Sequence, residues 1–144
     1  MGGETLKLVI GKWDATAESH LRNIRNDDCI RFYRDEVETG AATLLRAVQN
    51  DMHFATIIIR GEVNFADMGE DLVVVAAAAD SAWSKEGSIF TRILPLIEAV
   101  ARRGRYSHVR AHTPRRGLVR RMQNAGYEVY ETVMRREVSH GAHV

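Results

Sequence analysis

Between His112 and Tyr127 the chain reads HTPRRGLVRRMQNAGY, which places Arg115, Arg116, Arg120 and Arg121 on one short segment with Arg110 just upstream. A guanidinium is a rigid fork of donors that matches phosphate or carboxylate oxygens. Such a group can hold an anionic ligand, a polyanion or an acidic partner surface. Arg115 and Arg116 stand near the expected start of a helix, where free N–H groups and the helix dipole also favour an anion. The competing reading is a solvated helix face, the common fate of arginine. The basic tract carries no recognised nucleic-acid motif and no interleaved aromatics, so a nucleic-acid partner is not expected.

Other groups able to do chemistry are scattered. Ser84, Lys85, Gly87 and Ser88 lie in the loop DSAWSKEGS and could face a phosphate, although Glu86 would repel one. Trp83 in the same loop could stack on a base, meet a partner or plug the loop. Glu70, Asp71 and Asp80 are carboxylates at the ends of an apolar run. His108 and His112 share one face of a short alternating segment, and His140 and His143 lie in the tail. Two strand histidines can ligate zinc, but no Cys, His or Asp spacing completes a site, so no metal is expected. Cys29, beside Asp28, reads as a core cysteine rather than a nucleophile.

The elements that must position these groups follow from periodicity. LKLVIG alternates Leu6, Leu8 and Ile10, as a strand does. Asp14 can cap a helix running to about Ile24, with Ala17, Leu21 and Ile24 inward. After Asn26-Asp27-Asp28, a longer helix is expected to about Val48. Its apolar face is Ile30, Tyr33, Val37, Ala41, Leu44 and Val48, and Gly40 inside it costs about 1 kcal/mol relative to alanine. FATIIIRGEV and DLVVVAAAA read as strands joined by NFADMGE, and the second is apolar on both faces, as a central strand must be. A helix stripe follows in Ile89, Ile93, Ile97 and Val100, supported by Phe90, Leu94 and Ala101. Pro95 either kinks that helix or marks where its regular part begins, and Arg102, Arg103 and Arg105 close it. YSHVRAH is a short strand. Thr113-Pro114 starts a last helix whose buried stripe is Leu118, Met122 and Ala125, and Gly126 ends it. YEVYETVMRREV is expected to be the closing strand. The order is β-α-α-β-β-α-β-α-β, an α/β layout with helices on a mixed sheet.

The composition sets the class. The 144 residues are 45% hydrophobic and 27% charged, an ordinary globular balance. No repeat, low-complexity tract or linker divides the chain, so a single domain over 1–144 is expected, with the tail 139–144 loosely packed. One cysteine excludes an internal disulfide framework and fits a reducing, cytoplasmic setting. No apolar run approaches the roughly 20 residues of a membrane span, and MGGETL has no hydrophobic leader, so neither a signal peptide nor a membrane anchor is expected. Charge is uneven. Residues 1–100 carry 10 Lys and Arg against 16 Asp and Glu, whereas residues 101–144 carry 10 Arg against 3 Glu. That asymmetry suits a basic face for phosphates or an acidic partner, or pairing within the same fold.

This order, with its Gly-aromatic ending to the last helix, resembles the GNAT superfamily of acyl-CoA N-acyltransferases. DLVVVAAAA looks like the strand whose open backbone pairs with the pantetheine arm of acyl-CoA. SIFTRILPLIEAVARRGRYSHVRAH looks like the helix and strand that splay away from it, and TPRRGLVRRMQNAGYEVYETVMRREV like the final helix and closing strand. The likeness is sharpest from about residue 71 onward, where compact GNAT-like proteins of tailed phages look particularly similar. It implies a GNAT-like three-layer fold with a mixed central sheet. It implies acetyl-CoA or another acyl-CoA as co-substrate, with the backbone of Val75, Ala76 and Ala77 orienting the thioester. Ser84, Lys85, Gly87 and Ser88, with Arg115 and Arg116, would then face the CoA phosphates.

The family's pattern is incomplete here. DSAWSKEGS lacks the Arg/Gln-x-x-Gly-x-Gly/Ala phosphate motif, and Met122 stands where the family often has a proton-donating tyrosine. No side chain is assigned as a catalytic group. Two functions therefore stay open. One is transfer of an acyl group from acyl-CoA to an amine acceptor. The other is a catalytically inactive GNAT-like interaction or structural protein, with a protein partner or its own copies, such as a phage virion component acting in the host cytoplasm or virion.

Overall fold

The computed structural model describes residues 5–80, 89–113 and 116–139. They divide into two compact units, residues 1–112 and 113–144. The first holds β1 (Lys7–Gly11), α1 (Ala15–Arg22), α2 (Asp27–Thr39), β2 (Thr43–Gln49), β3 (Met52–Asn64), β4 (Gly69–Ala79), α3 (Ile89–Arg103) and β5 (His108–Ala111). The second holds α4 (Arg116–Asn124).

The five strands lie in the order β1-β2-β3-β4-β5. The first three junctions are antiparallel and β4 pairs β5 in parallel. A parallel junction needs a crossover, and α3 supplies it. Alternation along the strands divides the core between two faces. Leu45, Ala47, Ile57, Ile59, Leu72 and Val74 pack with Ile93, Ile97 and Ala101 of α3. Leu44, Ile58, Ala76 and Ala78 pack with Ala17 and Leu21 of α1 and with Ile30 and Tyr33 of α2. The result is helices, sheet and helix in three layers, the mixed α/β arrangement that the sequence predicts. Each fully buried Leu or Ile contributes about 1.5–3 kcal/mol.

The caps follow from local chemistry. The Asp14 carboxylate accepts from Ala17 N at 2.8 Å, satisfying an orphan donor of α1. Asn26 does the same for Cys29 N at 3.0 Å in α2. Pro95 sits within α3 on an exposed position, and the helix runs through it.

Three elements depart from expectation. The helix expected to reach Val48 stops at Thr39, because Gly40 adopts φ 84°, a left-handed cap, rather than a weak interior position. Residues 43–49 form β2 instead, joined to β3 by Asn50 and Asp51, both at positive φ. Strand β2 is covered on both faces, so apolar residues there do not alternate strictly, while Ala41 lies outside it and is exposed. The closing strand is not formed either: residues 127–139 contain neither helix nor paired strand, and Val129, Val133, Met134 and Val138 are exposed. Strand-forming side chains do not make a strand without a matched edge. In the expected stripe of α4, Met122 is buried and Leu118 half-buried, while Ala125 is exposed.

Candidate functional site

Strand β4 is internal to the sheet, with β3 on one side and the edge strand β5 on the other. Its pairing with β5 ends at Val74↔Ala111, whereas β4 itself continues to Ala79. Strand β5 ends at that point, and among the described residues no strand pairs with β4 beyond it on that side. Ile58 stands opposite Ala76 and Ile59 opposite Val74, so Val75 is one extra residue, a bulge at the place where β5 ends. A bulge twists the strand and re-aims its backbone groups.

The ladder determines which groups face that side. Asp80 N donates to Phe54 O at 2.7 Å, which marks a hydrogen-bonded pair of the β3–β4 ladder. Alternation then turns the N–H and C=O of Ala76 and Ala78 toward β3 and those of Ala77 and Ala79 toward the other edge. Asn23 Nδ2 donates to Ala79 O at 3.2 Å. The backbone of Ala77 therefore faces away from β3, within a run of side chains no larger than methyl. An extended ligand can add to such an edge by main-chain hydrogen bonds.

Of the residues expected to form a site, the structure brings together Val75, Ala76 and Ala77 in this bulged half of β4. Ser84, Lys85, Gly87, Ser88 and Arg115 lie outside the described residues, as do Trp83 and Glu86. Arg116 opens α4 in the second unit and is exposed, as are Arg120 and Arg121. Helix α4 ends as expected: Gly126 adopts φ 97°, with Gly126 N donating to Gln123 O and Tyr127 N to Met122 O. Met122 is 7% exposed and serves as a core residue of its helix.

Two polar clusters escape a reading of the sequence, and both lie on the sheet face toward α1 and α2. In the first, the carboxylate of Asp71, 1% exposed, is ringed by donors. His108 Nδ1 is 3.1 Å from its Oδ1, Asn64 Nδ2 donates to Oδ2 at 3.1 Å, and Arg110 Nε lies 3.2 Å from Oδ2. Arg110 Nη2 also donates to Glu62 at 3.1 Å, Arg60 Nε to Glu62 at 2.8 Å, and Arg60 Nη1 to Glu36 of α2 at 2.9 Å. The Arg60 hydrogen bond holds the Glu62 carboxyl below its ordinary range, against the opposing effect of burial. His108 is thus tied to a carboxylate, and among the described residues no three His, Cys, Asp or Glu gather as a metal site would require.

In the second cluster Thr56, fully buried, offers its hydroxyl to two imidazoles. His20 Nδ1 and His53 Nε2 each lie 2.9 Å from Oγ1, and the rings meet edge to face at 4.9 Å. Burial lowers both histidines below their ordinary value, and for His53 the charge of His20 adds to that effect. The one available signal was position. His20 stands three residues after Ala17 and beside Leu21, on the buried face of α1.

No protein-family model matches the sequence, and no curated protein matches it significantly. Solved structures do match the fold. A possible acetyltransferase from Clostridium difficile 630 superposes with a TM-score of 0.70 at 14% identity, covering 95% of this chain and 100% of its own. A ribosomal-protein-alanine N-acetyltransferase from Brucella melitensis biovar Abortus 2308 gives 0.66 at 12% identity, over 95% and 100%. An aminoglycoside N-acetyltransferase in complex with CoA gives 0.66 at 13% identity, over 95% and 97%. The mixed five-stranded sheet between helices is the fold of the GNAT acetyltransferases.

Proposed function

We propose that this chain binds acetyl-CoA or a related acyl-CoA and transfers the acyl group to an amine. The observation that carries the reading is the end of the β4–β5 pairing at Val74↔Ala111, with the Val75 bulge beside it and β4 running on to Ala79. A pantetheine arm is an extended chain of amides, and the outward backbone of Ala77 offers it a donor and an acceptor. Val75, Ala76 and Ala77 then orient the thioester. Ser84, Lys85, Gly87 and Ser88, together with Arg115 and Arg116, are the groups suited to the CoA phosphates. Much of the acceleration comes from holding thioester and amine in place. The cytoplasm, where acyl-CoA is available and Cys29 stays reduced, is the fitting compartment.

Heating the protein with acetyl-CoA tests this reading. A ligand at about 100 times its dissociation constant stabilises by about 2.7 kcal/mol, several degrees in Tm for a domain of this size. An unchanged Tm with acetyl-CoA and longer acyl-CoA would overturn it.

A second reading keeps the fold and the carrier slot without chemistry, leaving an interaction or structural protein such as a virion component. Met122 favours it, because a buried thioether cannot protonate a leaving thiolate. Acyl-CoA binding with no thiol release from any amine would select this second reading.

A further inference from the structure

His108 and Asp71 form a dyad with one end in the protein and the other in solvent. The Asp71 side chain is 2% exposed and that of His108 is 58% exposed. With Nδ1 committed to the carboxylate, the tautomer that donates from Nδ1 leaves the Nε2 lone pair directed away from Asp71. Asp71 is in turn fixed by Asn64 and Arg110, so the imidazole is held on a rigid support. Asp67, 3.7 Å from Nδ1, adds a second carboxylate beside the ring.

The dyad also lies on the relevant stretch of sheet. Val109 and Ala111 pack toward α3, so His108 and Arg110 point to the opposite face, the one on which Val75 packs. His108 pairs with Asp71, three residues before the pairing ends at Val74↔Ala111. That is about 10 Å along the strand. An acceptor nitrogen about 3 Å from the thioester and a chain of two waters can span it, a relay open to a general base.

Resting on the acyltransfer reading above, we propose that His108, positioned by Asp71, is the group that takes the proton from the acceptor ammonium. The amine arrives protonated and gives one proton to His108 Nε2, which passes it to solvent. The free amine nitrogen then attacks the thioester carbonyl carbon, the C–N bond forms and the C–S bond breaks. The second nitrogen proton goes to the departing sulfur through water, since Met122 cannot donate one. The acceptor is thereby named by class: a primary amine that is cationic in solution, drawn to a face where Asp67 and Asp71 stand beside the histidine.

The experiment measures thiol release from acetyl-CoA with sisomicin, spermidine and an alanine-initiated peptide as amines, from about pH 5 to about pH 9. His108→Gln is expected to lower kcat about 100-fold and to abolish the fall in rate on the acid side, while the acetyl-CoA-induced rise in Tm is unchanged. Asp71→Asn, checked for folding by circular dichroism, is expected to lower kcat without altering the KM for acetyl-CoA, because an amide no longer fixes the tautomer. A His108→Gln protein within about twofold of the parent and with the same pH profile overturns the proposal. So does a parent protein that binds acetyl-CoA yet releases no thiol with any of the three amines. Failure to bind acetyl-CoA at all overturns the acyltransfer reading instead.

Discussion

His20 Nδ1 lies 2.9 Å from the Thr56 hydroxyl, and both residues are buried. The same hydroxyl meets His53 Nε2 at 2.9 Å. It has one proton to give, so with both imidazoles neutral one ring accepts from it and the other donates to it. The donating ring could make the same bond as an imidazolium, so it is burial that disfavours charge here. Asp14 and Asp80 favour protonation of His20, but burial outweighs them.

Stability should therefore fall on acidification. Both histidines sit below the ordinary value of 6.5 in the folded protein. The unfolded chain then binds more protons than the folded one as pH drops past 6.5. Their contribution is complete above that value and is lost as pH falls through the lowered folded values. Tm measured from about pH 8 down to about pH 5 should decline, and a His20→Asn, His53→Gln double variant should decline less steeply. An identical slope in both proteins would show that these rings do not control it.

Thr56→Val tests the hydroxyl itself. Valine matches the shape but leaves two buried ring nitrogens without their partner, so a loss of about 1–3 kcal/mol is expected in urea unfolding. A loss below about 0.5 kcal/mol would mean that the histidines find other partners.

Gly40→Ala isolates a backbone effect. An added Cβ would meet nothing within 4 Å, yet φ is +84°. Forcing alanine into the left-handed region costs about 1–2 kcal/mol, and Gly40→Asn should cost less. Equal stability of the alanine and glycine proteins would contradict the left-handed cap.

The direction of the β4 backbone can be tested by proline. At Ala77 the lost N–H faces away from β3, so Ala77→Pro should fold but lose the acetyl-CoA-dependent rise in Tm. At Ala76 the lost N–H belongs to the β3 ladder, so Ala76→Pro should be less stable than Ala77→Pro by about 1–3 kcal/mol. The reverse order of stability would refute the assigned alternation.

The sequence carried the α/β class, the Asp14 cap, the central apolar strand and the Gly126 ending, because each is written in neighbouring residues. It misled at residues 41–48. There apolar positions continue a helical spacing although Gly40 has already ended the helix, and the Asn50-Asp51 turn was the unread signal for a hairpin. The segment 127–138 misled in the other direction, since its strand-like composition says nothing about the availability of an edge. The sequence singled out Val75, but the bulge there was not legible, because register depends on how β3 and β4 meet. His108 and Asp71 stand 37 positions apart and join only through parallel pairing. His20, His53 and Thr56 likewise come together by folding alone.

The surplus residue at Val75 changes the phase of everything after it. In a regular strand Asp71 and Val73 would share their face with residues 75, 77 and 79. Here Ala76 and Ala78 pack toward α1 and α2 instead, while Ala77 and Ala79 pack toward α3. Four successive alanines fill either phase about equally well, so the large residues upstream and the isoleucines of β3 hold the setting. Removing the surplus residue would leave both sets of methyl groups on their present faces and in step with the polar end of the strand. What it would take away is the local twist, so a one-residue deletion here would straighten the strand without turning any side chain over.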